Sequence, residues 1–192
     1  QGWLCKRPHE APATHQNRVT VVRELALFMM RQNLLAYVPP KHMGPAGRTN
    51  FQPWIFTRDH VAALLAAASA LPRDPFSPLR HLVMPEVFHV LYGCGLRCGE
   101  ALRLVARDVE LSDGVLVIRQ GKFRQDRLVP VAPGLRERLR IYATTLGPRP
   151  PDAVFFPGPH GRAYSRSAVY DLFRQLLRTV DVPHGRRGAV PR

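Results

Sequence analysis

Residues 91–104 read LYGCGLRCGEALRL, an apolar run that is interrupted by glycines and by one arginine. Gly93 and Gly95 permit a sharp turn and close backbone packing, and the apolar residues after Glu100 return at helical spacing. Arg97 therefore falls at a turn that leads into a helix, with leucines on either side. Because a charged group is not buried without a partner, the stretch predicts that Arg97 has one.

Two interpretations of Arg97 follow from its type and position. Glu100 lies three residues further on, so the two side chains can form an i,i+3 ion pair that stabilises the helix by about 0.2–0.5 kcal/mol. A guanidinium held by packing can also bind two phosphate oxygens at once. The stretch by itself leaves both interpretations open.

The composition of the chain favours a nucleic-acid partner. Its 192 residues include 28 Lys and Arg against 14 Asp and Glu, which gives a formal net charge of +14. With 45% hydrophobic residues the chain is expected to fold around a core, and a folded chain of this charge suits a polyanion. A basic surface without such a partner is the alternative.

Three cysteines, Cys5, Cys94 and Cys98, are too few and odd in number for a disulfide framework, which favours a reducing compartment. Cys94 and Cys98 are four residues apart, but no second Cys/His pair at ligand spacing accompanies them, so we expect packing residues and no metal site. No apolar run reaches the roughly 20 residues of a membrane span, and we expect no membrane association.

The hydrophobic pattern predicts a mostly α-helical protein with a small antiparallel β-hairpin, an α+β fold. Pro and Gly dominate residues 38–53, which we interpret as a linker. The predicted elements, in order, are a helix capped by Thr14, a helix capped by Thr57, a helix over 81–93 that contains Pro85, strands over 115–118 and 128–131, a helix over 133–146, a strand over 153–157 and a helix capped by Ser165.

The predicted hairpin carries a second residue of interest. Lys122 follows Gly121 at the turn and is flanked by arginines. An ammonium at a hairpin tip can reach a backbone oxygen of a nucleic acid and donate a proton to it. The alternative interpretation is an ordinary exposed turn residue.

Two segments in this order resemble the tyrosine recombinase, or phage integrase, family: GCGLRCGEALRLVARDVEL at 93–111 and GVLVIRQGKFRQDRLVPV at 114–131. The first is similar to the family's box with the pattern G-x-G-L-R-x-x-E-A-L-x-L, and the second to its hairpin G-K-x-x-x-x-R-x-V-P. The resemblance implies that residues 54–192 are the N-terminal portion of a recombinase catalytic domain. Residues 1–37 resemble the end of the helical core-binding domain, which clamps DNA.

The resemblance also implies roles for single residues. Arg97 matches the first arginine that holds the scissile phosphate, Glu100 matches the box's supporting acid, and Lys122 matches the lysine that protonates the leaving 5′-hydroxyl. In the family a tyrosine attacks the phosphate and forms a 3′-phosphotyrosine, with no metal or other cofactor. The implied partners are double-stranded DNA and further copies of the protein in a tetrameric synapse. The implied location is the cytoplasm, on the nucleoid of a bacterium or with the DNA of a phage or mobile element.

The family's second box, His/Lys-x-x-Arg, and its nucleophilic tyrosine are the missing parts of this resemblance. His184 and Arg187 have the H-x-x-R spacing, but they stand among glycines and a proline, where the family has a helix. We therefore expect the chain to stop before that box. None of the five tyrosines (Tyr37, Tyr92, Tyr142, Tyr164 and Tyr170) follows such a box, so we expect no nucleophile here and no DNA cleavage by this chain.

Several arginines are candidates for contacts with DNA phosphates, each with a solvated surface arginine as the alternative. They are Arg18, Arg124, Arg127, Arg162 and Arg166. A non-catalytic DNA-binding remnant or regulator is the main alternative function. An RNA-binding protein is a weaker alternative, because it requires exposed aromatic side chains, whereas most aromatics here lie on apolar, core-like faces of the predicted helices.

Overall fold

The computed structural model of the protein describes residues 2–41, 55–119, 125–180 and 182. The chain divides into two compact units, Gln1–Gln52 and Pro53–Arg192, which are described separately below. The division into a core-binding segment 1–37, a linker 38–53 and a catalytic portion 54–192 stays a prediction.

The first unit contains one long helix. A 3₁₀ turn over Gly2–Leu4 precedes α1, which spans Pro12–Arg31. The helix begins two residues before Thr14, so the predicted Thr14 cap is wrong: Pro12 stands in the first turn, where its fixed φ and missing N–H cost nothing. Val19 and Ala26 are buried along α1, whereas the apolar side chains of Leu25 and Phe28 on the same helix are exposed.

The second unit contains five α-helices within the described residues. They are α2 (Arg58–Ser69), α3 (Arg80–Cys94), α4 (Cys98–Ala101), α5 (Pro133–Leu146) and α6 (Arg166–Thr179). Two predicted caps are confirmed. Thr57 Oγ1 accepts a hydrogen bond from the His60 amide at 3.2 Å, and Ser165 Oγ accepts one from the Ala168 amide at 3.0 Å. Each cap satisfies an amide that the helix itself leaves without a partner.

The glycines of the opening stretch terminate α3 and pack it against α5. Gly95 has φ of +60° and is the C-cap of α3, so the chain turns into Arg97 through a left-handed residue. A Cβ atom on Gly93 would lie 2.9 Å from Leu135 Cδ2, so the two helices approach closely there. The expected sharp turn and close packing are both confirmed.

A Gly95→Ala variant is expected to lose about 1 kcal/mol of unfolding free energy, because a Cβ atom disfavours the left-handed backbone. Gly134→Ala is the matched control. Gly134 lies in the first turn of α5 with nothing within 4 Å of a built Cβ, and its φ is not positive, so alanine there is expected to be neutral or stabilising. Urea denaturation of both variants measures the difference, and equal midpoints would contradict the role of Gly95.

The three described strands form one antiparallel sheet in the order β1-β2-β3. Its strands are β1 (Val109–Glu110), β2 (Val115–Ile118) and β3 (Arg127–Pro130), and the register pairs Leu116 with Val129 and Ile118 with Arg127. The predicted hairpin and the α+β fold class are thereby confirmed. Gly121, expected at its turn, lies outside the described residues.

The strand predicted over 153–157 is wrong. Val154 and Pro157 form isolated bridges, to Val105 and Ala163, and do not join the sheet. The Phe155 amide donates to the Leu104 carbonyl at 2.8 Å, and Pro157 has no N–H with which to continue a ladder. This apolar segment instead packs its aromatic side chains inward.

The core of the second unit lies between the helices and the inner face of the sheet. Pro85 is accommodated inside α3 and is itself buried. The largest core side chains that are fully buried are Met84, Val83, Val87, Val90, Leu116, Ile118, Leu139 and Phe156.

Candidate functional site

Arg97 lies between the end of α3 and the start of α4, with extended backbone (φ −69°, ψ 142°). Its backbone amide donates to Glu100 Oε2 at 3.0 Å, and its Nη1 donates to Glu100 Oε1 at 2.8 Å. The Arg97 side chain is nevertheless 59% exposed. In the described part of the chain its Nε and Nη2 have no hydrogen-bond partner.

Glu100 is the buried acceptor that organises the site. Its side chain is 3% exposed, and its two oxygens accept four hydrogen bonds, two from Arg97 and two from Arg127. Hydrogen bonds, above all those from Arg127, lower the pKa of Glu100 from its usual 4.5 to about 2. Burial acts in the opposite direction and raises this pKa. The carboxylate therefore stays charged at neutral pH.

Arg127 binds Glu100 from the first position of β3. Its Nη1 donates to Oε1 at 3.1 Å and its Nη2 to Oε2 at 2.8 Å, which is the two-pronged geometry in which a guanidinium binds a carboxylate most strongly. The sequence analysis predicted Arg127 as a phosphate contact, and it did not predict the ion pair with Glu100. The alternation of more and less buried residues along β3 is the signal that indicates this ion pair. Arg127 shares a face of the strand with Val129, which packs against the core.

Two further arginines flank the turn of Arg97. A Cβ atom on Gly99 would lie 3.4 Å from Arg103 Nη1 and 3.5 Å from Arg166 Cδ. Both arginines are exposed, and neither has an acidic partner among the described residues. Arg166 was predicted from the sequence, whereas Arg103 was missed because the helical pattern marks it only as a polar position.

The remaining predicted phosphate contacts lie in different settings. Arg18, on α1, donates to Glu10, at 3.0 and 2.8 Å, and to two backbone carbonyls, and its guanidinium stacks 4.7 Å from the Trp3 ring centre. Arg162 is exposed in the loop before α6. A DNA contact by Arg18 would have to compete with these internal partners, while Arg162 is accessible.

Four residues of interest lie outside the described residues. They are the predicted catalytic residue Lys122, the predicted phosphate contact Arg124, and the His184 and Arg187 pair. What the structure does describe is the frame on either side of Lys122. Arg119, just after β2, donates through Nε to buried Asp108 at 2.7 Å, and Arg127 begins β3.

The five tyrosines divide into engaged and exposed side chains. The Tyr142 hydroxyl donates to the Phe155 carbonyl at 2.9 Å, and burial raises the pKa of Tyr142 far above its usual value. Tyr164 lies 2.6 Å from Ser77 through their hydroxyls. Tyr37, Tyr92 and Tyr170 are exposed, as are Trp3, Phe28 and Phe76, so fewer aromatics than expected lie in the core.

Across the described residues there is no group of three or more side chains that could hold a metal ion. None of the three cysteines, all of which lie among the described residues, forms a disulfide, and burial raises the pKa of both Cys94 and Cys98. Both thiols pack against the core of the second unit. None of the described helices is long and apolar enough to cross a bilayer.

Comparison with known proteins places this site in context. The model of the phage integrase family matches residues 55–188. The tyrosine recombinase XerD of Halalkalibacterium halodurans is 30% identical over 85% of this chain and 54% of its own length. The tyrosine recombinase XerC of Rhodospirillum centenum is 31% identical over 95% of this chain and 53% of its own length. The chain thus spans about half the length of these curated relatives.

The fold is similar to that of solved recombinases. A crystal structure of the XerH site-specific recombinase, bound to a palindromic difH substrate in a post-cleavage complex, aligns with a TM-score of 0.69 at 18% identity. The alignment covers 93% of this chain and 51% of XerH. At that identity the likeness concerns the fold alone.

Proposed function

The chain belongs to the phage integrase family of tyrosine recombinases, and on that premise we propose that it binds double-stranded DNA for site-specific recombination and that Arg97 holds the scissile phosphate. One observation carries the proposal. Arg97 is anchored through its amide and Nη1 to buried Glu100, while its side chain is 59% exposed and its Nε and Nη2 have no partner among the described residues. A pre-oriented guanidinium of this kind suits a phosphate, because little conformational freedom is lost on binding.

The charge around Arg97 supports the same role. Arg103 and Arg166 flank Gly99, two residues after Arg97, and each adds an exposed cation. The basic side chains of the protein are twice as many as the acidic ones, 28 against 14, so half of them have no carboxylate to pair with one-to-one. We propose Arg162, Arg166 and Arg124 as further phosphate contacts, with Arg18 contributing from the first unit.

The proposed reaction needs three functions at the phosphate. Arg97 neutralises charge on the non-bridging oxygens, and Lys122 donates a proton to the departing 5′-oxygen. A tyrosine hydroxyl attacks phosphorus and gives up its proton to a base, the bond to the 5′-oxygen breaks, and a 3′-phosphotyrosine forms. Attack by a 5′-hydroxyl then reverses these bonds, so the bond energy is conserved.

We propose that the nucleophile is not among the five tyrosines of this chain. Tyr142 is buried and donates to a backbone carbonyl, and Tyr164 pairs with Ser77. We further propose that copies of the protein assemble on DNA as a tetrameric synapse, on the nucleoid in the cytoplasm of a bacterium or with the DNA of a phage or mobile element.

The salt dependence of DNA binding tests the phosphate role. For the unmodified chain we expect the logarithm of affinity for a labelled duplex to fall steeply against the logarithm of salt concentration. Loss of one phosphate contact in Arg97→Ala should make that slope shallower by about 0.9. Fluorescence anisotropy across a salt series measures both slopes.

Arg178→Ala is the matched control for this experiment. Arg178 is exposed in the last turn of α6, about 18 Å along the helix from Arg166, and its loss should leave the slope nearly unchanged. Circular dichroism shows whether each variant is folded. A slope near zero for the unmodified chain, or equal slopes for Arg97→Ala and Arg178→Ala, would overturn the proposal. Salt-dependent binding without any contribution from Arg97 would favour a non-catalytic DNA-binding role.

A further inference from the structure

Arg127 connects the hairpin to the turn that carries Arg97. It begins β3, where its backbone pairs with Ile118 of β2, and its guanidinium binds Glu100 in α4. Lys122 precedes it by five residues along the chain. The Arg127 side chain thus connects β3, the strand that follows Lys122 in the sequence, to Glu100, the acid that holds Arg97.

The four hydrogen bonds on Glu100 are shared in a regular way between the two arginines. Oε1 accepts from Arg97 Nη1 and Arg127 Nη1, and Oε2 accepts from the Arg97 amide and Arg127 Nη2. Because Arg127 holds both oxygens at once, it fixes the rotation of the carboxylate plane. That rotation in turn determines where Oε1 lies and therefore where the Arg97 guanidinium points.

The donors of Arg127 are already directed at this carboxylate. Both of its Nη atoms donate to Glu100, and its side chain is 39% exposed, against 59% for Arg97. A phosphate in contact with Arg127 would have to compete with a buried carboxylate that has no other described partner except Arg97. The two arginines on Glu100 are therefore not equivalent, since both Nη atoms of Arg127 bind the carboxylate, whereas only one guanidinium nitrogen of Arg97 does.

We propose that Arg127 is a positioning residue that acts through Glu100 to hold the Arg97 guanidinium in its phosphate-binding orientation. This inference rests on the proposed phosphate role of Arg97 and deepens it. Arg127 itself makes no contact with the DNA. The pair Arg127–Glu100 also ties β3 to α4.

A double-mutant cycle on DNA binding separates positioning from direct contact. Arg97→Ala is expected to weaken binding about tenfold, as for a lost charge-assisted hydrogen bond. Arg127→Lys keeps the charge but cannot bind both oxygens of Glu100, so it should weaken binding about threefold or more. In the Arg97→Ala background, the same lysine substitution should change affinity less than twofold, because there is no longer a guanidinium to position.

The salt slope and a control variant sharpen the result. Arg127→Lys should leave the salt slope of the Arg97→Ala variant unchanged, because no phosphate contact is removed. Arg119→Lys is the matched control: Arg119 flanks the same hairpin and binds Asp108 through a single nitrogen, so lysine there should leave DNA affinity near that of the unmodified chain. Wild-type affinity in Arg127→Lys, or full additivity with Arg97→Ala, would overturn the inference.

A measurement without DNA covers the case in which a variant folds poorly. The ¹⁵N–¹H signal of the Arg97 Nε group reports how firmly its side chain is held, and it is read only from the folded population. We expect a sharp signal in the unmodified chain and a broadened or shifted one in Arg127→Lys. An unchanged Nε signal in Arg127→Lys would overturn the positioning role. An unchanged DNA affinity in Arg97→Ala would overturn the proposed function, and with it the role of Arg127 in phosphate binding.

Discussion

The Glu100→Gln variant is expected to lose about 2–3 kcal/mol of unfolding free energy at pH 7. Glu100 is 3% exposed and accepts four hydrogen bonds from two arginines. The glutamine amide has only one acceptor oxygen, and its NH₂ group would lie against the donor groups of Arg97 and Arg127. At least some of the four hydrogen bonds are therefore lost. Removing one member of a buried ion pair also leaves its partner charges uncompensated, which costs stability. This cost is smaller here because Arg97 and Arg127 reach solvent. Urea denaturation followed by circular dichroism measures the loss.

The same substitution should change how stability depends on pH. Hydrogen bonds from Arg127 and Arg97 lower the pKa of Glu100 from 4.5 to about 2 in the folded protein. A lowered pKa means that the stabilisation is fully present above pH 4.5 and is lost as the pH falls towards 2. The stability difference between the unmodified chain and Glu100→Gln should therefore be largest near neutral pH and shrink across this interval.

Glu137→Gln provides the control for both measurements. Glu137 is 58% exposed and pairs with Arg140 at 3.2 Å on the surface of α5. An exposed pair of this kind contributes little, so the control should stay within about 0.5 kcal/mol of the unmodified chain. If Glu100→Gln behaved like Glu137→Gln at every pH, the buried carboxylate would not be a structural anchor of the site.

The Phe156→Ala variant is expected to have the largest effect on stability, a loss of about 3–5 kcal/mol. Phe156 is fully buried, and its ring centre lies 4.9 Å from that of Phe155 and 5.7 Å from that of Tyr142. Truncation removes these contacts and leaves a cavity that the surrounding helices fill only in part. The effect reaches the site, because the neighbouring Phe155 amide holds the Leu104 carbonyl just beyond α4.

Phe76→Ala is the matched control, since it removes the same ring from a position that is 90% exposed. It should change the unfolding free energy by about 0.5 kcal/mol or less. Chemical denaturation of both variants measures the difference. Comparable midpoints would show that the 153–157 segment does not anchor the core. DNA binding by Phe156→Ala should fall at least in proportion to its folded fraction.

Much of the fold was predicted from local sequence patterns, and the two wrong predictions, at Thr14 and over 153–157, also have local causes. The caps at Thr57 and Ser165, the helix over 133–146 and the hairpin strands were predicted correctly, because side-chain type and periodicity act within a few residues. Thr14 failed as a cap because Pro12 begins the helix earlier. The segment 153–157 has the composition of a strand, but it packs its rings inward and forms only single bridges.

The predicted roles of the site residues stay predictions, and the structure adds a connection between them that the sequence did not predict. Of the two interpretations of Arg97, the ion pair with Glu100 is confirmed. Phosphate binding stays a prediction, and the ion pair is compatible with it because the Arg97 side chain is 59% exposed. The DNA contact of Arg127 stays a prediction, and the structure shows that its guanidinium donates the two remaining hydrogen bonds to Glu100.

The LYGCGLRCGEALRL stretch and the hairpin motif, by themselves, were sufficient to identify the family, and they also placed Arg97 at the turn before the helix that contains Glu100. Residue types and short spacings are sufficient for that, because the turn at Gly95 and the start of α4 are local events. Only the tertiary structure decided that Arg127 reaches Glu100. The two residues are 27 positions apart, and their meeting depends on the register of β3 against β2 and on the packing of the sheet beside α4, neither of which any short segment specifies.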